Sequence, residues 1–199
     1  MNKANKTIIS SLAIAGTIVT TAAAGLKIKE RIDYDKKIET KEKVMDLINS
    51  YNDAKDLLVG NDVKVNIPLI ISKLTTPAFL SREMPEIVAD YFDDEKNKKY
   101  KKAVKDKLLS LVSDIEKYVK KDDSGIKEAM IQIVNDYVSI IELLELIYTS
   151  TKYLDSYEEN DEDSPKPNSY QNTKVVLNKA LSMLGFYSDN LEMQIKTIS

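Results

Sequence analysis

Residues 8–26, IISSLAIAGTIVTTAAAGL, contain no charged side chain and follow MNKANK, which carries two lysines. At 1.5 Å per residue a helix of this length rises about 28 Å, close to the roughly 30 Å hydrocarbon core of a bilayer. A charge-free run of this length after a basic start is built to enter a membrane. Ile8, Ile9, Leu12, Ile14, Ile18, Val19 and Leu26 are the candidate membrane-anchoring residues.

Two fates fit the segment. As a secretory signal it has a basic n-region, an apolar h-region from Ile8 to Val19, and small residues at Ala22 and Ala24, where a signal peptidase requires them. As a single transmembrane anchor it is long enough, and Gly16, Thr20 and Ala24 recur every four residues, as in helices that approach closely in lipid. Lys27, Lys29, Arg31, Lys36 and Lys37 follow the segment, and a count of basic residues on either side leaves the remainder of an uncleaved chain in the cytoplasm. The location expected is therefore a single-pass cell-membrane protein or a secreted one.

The composition of the remainder points to helices. Five glycines and five prolines in 199 residues are few for a turn-rich sheet protein. The expected fold is all-α, a bundle of four to five helices preceded by the N-terminal apolar helix. Val44, Leu47, Ile48, Tyr51, Ala54 and Leu58 advance by threes and fours, after a polar stretch, KIKERIDYDKKIETKEK, expected to stand in solvent. Gly60-Asn61-Asp62 ends that helix. VKVNI, residues 63–67, alternates like a short strand with nothing to pair with and reads as an extended connector. Pro68, Pro77 and Pro85 divide the next segment, with Asn66, Thr76 and Ser81 as N-cap candidates.

Two strong helices follow. Tyr100, Val104, Leu108, Leu111, Ile115 and Tyr118 form one stripe. From Ile126 to about Leu154 the apolar face is so wide that the helix must be buried on two sides, as the centre of the bundle. Tyr100, Tyr118, Tyr137 and Tyr148 are expected to pack with their hydroxyls at the rim, while Tyr51, Tyr153, Tyr157, Tyr170 and Tyr187 are candidates for core or partner interface. The acidic, proline-punctuated SYEENDEDSPKPNSYQN reads as a linker, and the last helix, from Thr173, is expected to turn Val176, Ala180, Met183, Tyr187 and Leu191 to one side. The organisation is thus 1–26 signal or anchor, 27–155 main helical domain, 156–172 linker and 173–199 C-terminal helix.

The absence of cysteine and histidine removes disulfides, thiolate sites, the usual general base near neutral pH and the commonest metal ligand. Net charge is −3, or −5 after loss of Lys3 and Lys6 with a cleaved signal, so no bulk attraction to nucleic acid is expected. Lys98, Lys101, Lys102 and Lys105 concentrate positive charge opposite an apolar stripe and form a candidate contact face. Asp155, Glu158, Glu159, Asp161, Glu162 and Asp163 match no loop that fixes cation geometry, and Asp90, Asp93, Asp94 and Glu95 lie in too polar a segment to have their pKa values shifted for acid–base work. There is no glycine-rich phosphate loop, no GxSxG elbow and no HExxH helix. No catalytic residue, metal or cofactor is expected. The expected function is non-enzymatic binding of a protein partner near the membrane, of envelope-accessory, immunity or exclusion type. The alternatives are a secreted helical effector or toxin released near Ala24, and a carboxylate-based enzyme.

Overall fold

The computed structural model describes residues 3–60, 62–83, 98–120, 125–158 and 166–198, with side chains from Leu26 onward. Among these residues the protein is entirely helical: α1 (Lys3–Leu58), α2 (Val63–Leu74), α3 (Ala78–Glu83), α4 (Lys98–Tyr118), α5 (Ile126–Glu158) and α6 (Asn168–Ile198). The chain divides into two compact units, Met1–Glu39 and Thr40–Ser199.

In the first unit the side chains of Ile8, Ile9, Leu12, Ile14, Ile18, Val19, Ala22 and Ala24 lie outside the described residues. Leu26, Ile28, Ile32, Tyr34 and Ile38 are all exposed, in keeping with a solvent-facing stretch. Lys36 and Glu39 pair at 2.6 Å on its surface, a contact too exposed to add much stability. Among the residues whose side chains are described, which begin at Leu26, no helix is long and apolar enough to cross a membrane.

The second unit is a helical bundle. In α1 the stripe Val44, Leu47, Ile48, Tyr51, Ala54 and Leu58 is buried, as its spacing requires. The helix stops at Gly60, whose φ of +131° strains any side-chain-bearing residue. The expected extended connector at residues 63–67 is instead the first part of α2. Val63 and Ile67, four apart, face the core, while Val65 between them is 80% exposed. Five residues fit a period of two as well as 3.6; the continuation through Ile70, Ile71 and Leu74, all buried, settles the period as helical. Pro68 sits inside this helix and withholds one backbone donor, a cost that the buried apolar face outweighs.

The N-cap expectations also change. Asn66 lies within α2 and its side-chain amide donates to the Asp62 carbonyl at 3.3 Å. The Thr76 hydroxyl donates back to the Ser72 carbonyl, and Ser81 Oγ donates to the Thr76 carbonyl at 3.2 Å. These short side chains serve nearby acceptors, and Pro77 stands directly before the first residue of α3, its carbonyl accepting from the Ser81 amide at 3.0 Å.

α5 is the centre of the bundle, with α2, α4 and α6 packed against it. Met130, Ile133, Val134, Ile140, Leu144 and Ile147 are all buried along it. Tyr100, Tyr118 and Tyr148 are half-buried as expected, but Tyr137 is completely buried. Its hydroxyl donates to the Leu74 carbonyl at 2.6 Å. Leu74 is the last residue of α2, where carbonyls lack intrahelical partners, so Tyr137 supplies a donor to an acceptor that would otherwise be buried unsatisfied. Burial pushes its phenol pKa well up.

α6 begins at Asn168 rather than Thr173, and α5 persists to Glu158. Tyr170 explains the earlier start: it is buried, its amide bonds the Pro167 carbonyl at 2.9 Å, and its ring meets Tyr157 edge-on at 6.0 Å. Tyr153 donates to Ser169 Oγ at 2.9 Å, closing the same junction. The buried face of α6 is also rotated from the expected one: Leu177 and Leu184 turn inward beside Ala180 and Leu191, whereas Val176 and Met183 remain exposed.

Replacing Tyr137 with Phe keeps the ring and strands the Leu74 carbonyl. The expected loss is about 1–3 kcal/mol, read as a lower urea midpoint with an unchanged m-value. An unchanged midpoint would remove the tyrosine's capping role.

Candidate functional site

Lys98, Lys101, Lys102 and Lys105 all lie on α4, but they are not equivalent. Lys105 bonds Glu142 of α5, and Lys101 approaches Glu145 of α5 at 4.0 Å. The bonded Glu142 carboxylate, and then its charge, raise the Lys105 pKa above the ordinary lysine range. These two pairs rim a groove of about 200 Å³, whose apolar lining comes from Val104 and Leu108 of α4 and Val138 and Ile141 of α5. Lys102 lines it as well, and Lys98 is exposed one turn before it. The lysine face is therefore the border of an apolar slot with mixed charge at its rim. Such a slot accepts an apolar side chain and offers cations to acidic neighbours of that side chain.

Asp136 was not singled out from the sequence. It is 1% exposed, on α5, between two amides: Gln132 Nε2 donates to Oδ1 at 2.8 Å, and Asn190 Nδ2 of α6 donates to Oδ2. Desolvation raises its pKa, and the two donors oppose that rise without a cation to cancel it. An aspartate set among the apolar residues Ile133, Val134, Tyr137 and Val138 of α5 is the signal the sequence offers. Its amide partners lie four residues away on one side and on another helix on the other, and only the first spacing is visible in a sequence.

A second polar contact crosses from α1 to α6. Tyr51 donates to the Ser188 carbonyl at 3.3 Å and lies 3.5 Å from Glu192 Oε1. Burial, then the negative charge of Glu192, push its phenol up to about 12. Both contacts join helices, and Ser188 also lines a groove of about 490 Å³ together with Leu58, Val63, Leu184 and Asp189.

Among the described residues no cluster of three or more acids is placed to hold a metal ion. Asp155 and Glu158 lie on α5, while Glu159, Asp161, Glu162, Asp163, Asp90, Asp93, Asp94 and Glu95 lie outside the described residues. No protein-family model, curated protein or solved structure matches the chain.

Asp136 makes a pH-dependent prediction. Its folded-state pKa lies above its unfolded one, so its favourable contribution is full below the ordinary aspartate range and fades as pH rises through the folded value. Asp136→Asn carries no such dependence. The melting-temperature gap should therefore move in the variant's favour between about pH 3 and about pH 7. A gap independent of pH would show that Asp136 titrates as it does in the unfolded chain.

Proposed function

We propose that the protein is a membrane-tethered helical module that acts by binding a protein partner, as an envelope-accessory, immunity or exclusion protein would. The observation that carries this reading is the charge-free run of residues 8–26, preceded by Lys3 and Lys6 and followed by a solvent-facing polar stretch. Uncharged helix of that length is stable in lipid, where backbone groups are satisfied within the helix. The chemistry of the remaining chain favours binding over turnover. With no histidine and no cysteine, an active site would have to rest on carboxylates, lysines, tyrosines or hydroxyls. The acid at Asp136 is enclosed between amides, and the α4–α5 slot is bordered by paired charges around apolar side chains. The slot, with Lys98 and Lys102 beside it, is the surface we assign to the partner.

The second reading is an exported effector cut after Ala24, which the small residues Ala22 and Ala24 favour. The two differ in what remains in the membrane. Alkaline carbonate extraction followed by intact-mass measurement should find the uncut chain of 22.5 kDa in the pellet. A soluble chain beginning at Gly25 would replace the tether with export.

The partner surface is tested in the native cell. Lys98→Glu with Lys102→Glu should remove the principal protein crosslink while leaving the circular dichroism spectrum and melting temperature unchanged, because both lysines are exposed. Reversal at Lys101 and Lys105 also breaks the half-exposed pair to Glu145 and the exposed pair to Glu142, contacts that water screens and that hold little of the fold's stability. Crosslinking that survives both double variants would move the contact elsewhere on the bundle.

A further inference from the structure

α6 carries two apolar rows, and the bundle uses one of them. Leu177, Ala180, Leu184 and Leu191 are buried. On the outer side, Val176, Lys179, Met183, Phe186, Asn190 and Met193 recur in alternating steps of three and four, the spacing of a coiled-coil seam. Phe186 is 66% exposed, Met193 58%, Val176 42% and Met183 37%. The Phe186 ring is held edge-on to Tyr187 at 5.5 Å and 76°, so the largest apolar group of the row is positioned before anything covers it.

We infer that this row is the interface of an antiparallel homodimer, in which α6 of one protomer lies against α6 of a second copy. The choice of occupant rests on how the row reads when reversed against itself. Centred between Met183 and Phe186, an antiparallel two-fold sets Met183 against the Phe186 position of the second copy. Val176 then meets the Met193 position, and Lys179 meets the Asn190 position. Apolar faces apolar and polar faces polar along the whole row. The same register brings Lys179 beside the Asp189 position of the other copy, and symmetry supplies that opposite-charge pair twice. A parallel pairing would stack Lys179 on its own copy at the seam, where like charges repel. A two-fold axis needs one self-complementary patch, which the outer face of α6 provides. Asn190 commits its amide to Asp136 of its own protomer, so at that seam position the register rests on the Lys179–Asp189 pairing and the apolar matches.

The chain has no cysteine, so disulfide trapping can be read without background. Full-length Val176→Cys and Met193→Cys variants, in detergent micelles, are oxidised singly and as a mixture. The antiparallel register predicts a 176-to-193 disulfide dimer in the mixture and none from either variant alone, because like positions lie about 25 Å apart along the pair at 1.5 Å per residue. Disulfides from each variant alone would show a parallel pairing and overturn the register. No disulfide in any sample, with melting temperatures unchanged, would overturn the dimer. A charge cycle provides an independent arm by sedimentation equilibrium. Lys179→Glu should weaken association about tenfold, a shift of about 1.4 kcal/mol, and adding Asp189→Lys should restore it. Unchanged association in the single variant, or no recovery in the double, would reject the assigned register.

Discussion

The bundle depends on burying α5 against several neighbours at once. Apart from the exposed polar row Glu128, Asn135, Glu142 and Thr149, α5 carries apolar side chains on more than one face, so it must be packed on by other helices before it is secure. Ile133, Val134, Leu144 and Ile147 leave almost no surface to water, and α2, α4 and α6 each cover part of the cylinder. With no disulfide available, this packing and the hydrogen bonds through it hold the bundle together. Each neighbouring helix has a narrower apolar stripe, so each needs α5 more than α5 needs any one of them.

Apolar packing alone would leave the neighbours free to slide, because a ridge of leucines fits several grooves about equally well. Directional contacts distinguish one arrangement from the others. Tyr137 fixes the end of α2 through the Leu74 carbonyl, Asp136 fixes α6 through Asn190, and Tyr51 joins α1 to α6 through the Ser188 carbonyl. A one-turn slip of α2 or α6 would leave a phenol, a carbonyl or a carboxylate buried without a partner, at about 1–3 kcal/mol for each neutral group and more for the charged one. Net stability of a domain is only about 5–15 kcal/mol, so penalties of this size are enough to select one register.

Much of this was legible in the residues themselves. The stripes of α1 and α4 and the breadth of α5 are direct consequences of period 3.6, and Val44 to Leu58 and Val104 to Ile115 are buried where spacing puts them. Residues 63–67 mislead because three apolar side chains at alternate positions satisfy a strand over so short a window; Ile70, Ile71 and Leu74 decide between periods. The α4 lysines were legible as a charged face, but their pairing with Glu142 and Glu145 was not, since it depends on how two helices sit against each other. The same limit hid the second donor to Asp136. Contacts within one helix follow from spacing, whereas contacts between helices follow from packing that spacing does not encode.

α6 shows the limit most clearly, because its sequence supports two answers. Val176 and Leu177, and Met183 and Leu184, are adjacent pairs on overlapping rows, and either row offers an apolar stripe. The leucines turn inward. Burying Leu177 in place of Val176 removes about one more methylene from water, worth roughly 0.8 kcal/mol. At the second pair the volumes are similar, and leucine, with fewer rotatable bonds than methionine, loses less side-chain entropy when it is fixed. Asn190 lies on the same row as Val176 and Met183, and from that flank of α6 its amide still reaches Asp136 of α5. Val176, Met183, Phe186 and Met193 are thus left outside by a choice that the core makes for its own packing. The outward row is as extensive as it is because α6 is apolar enough to have filled the core in either orientation.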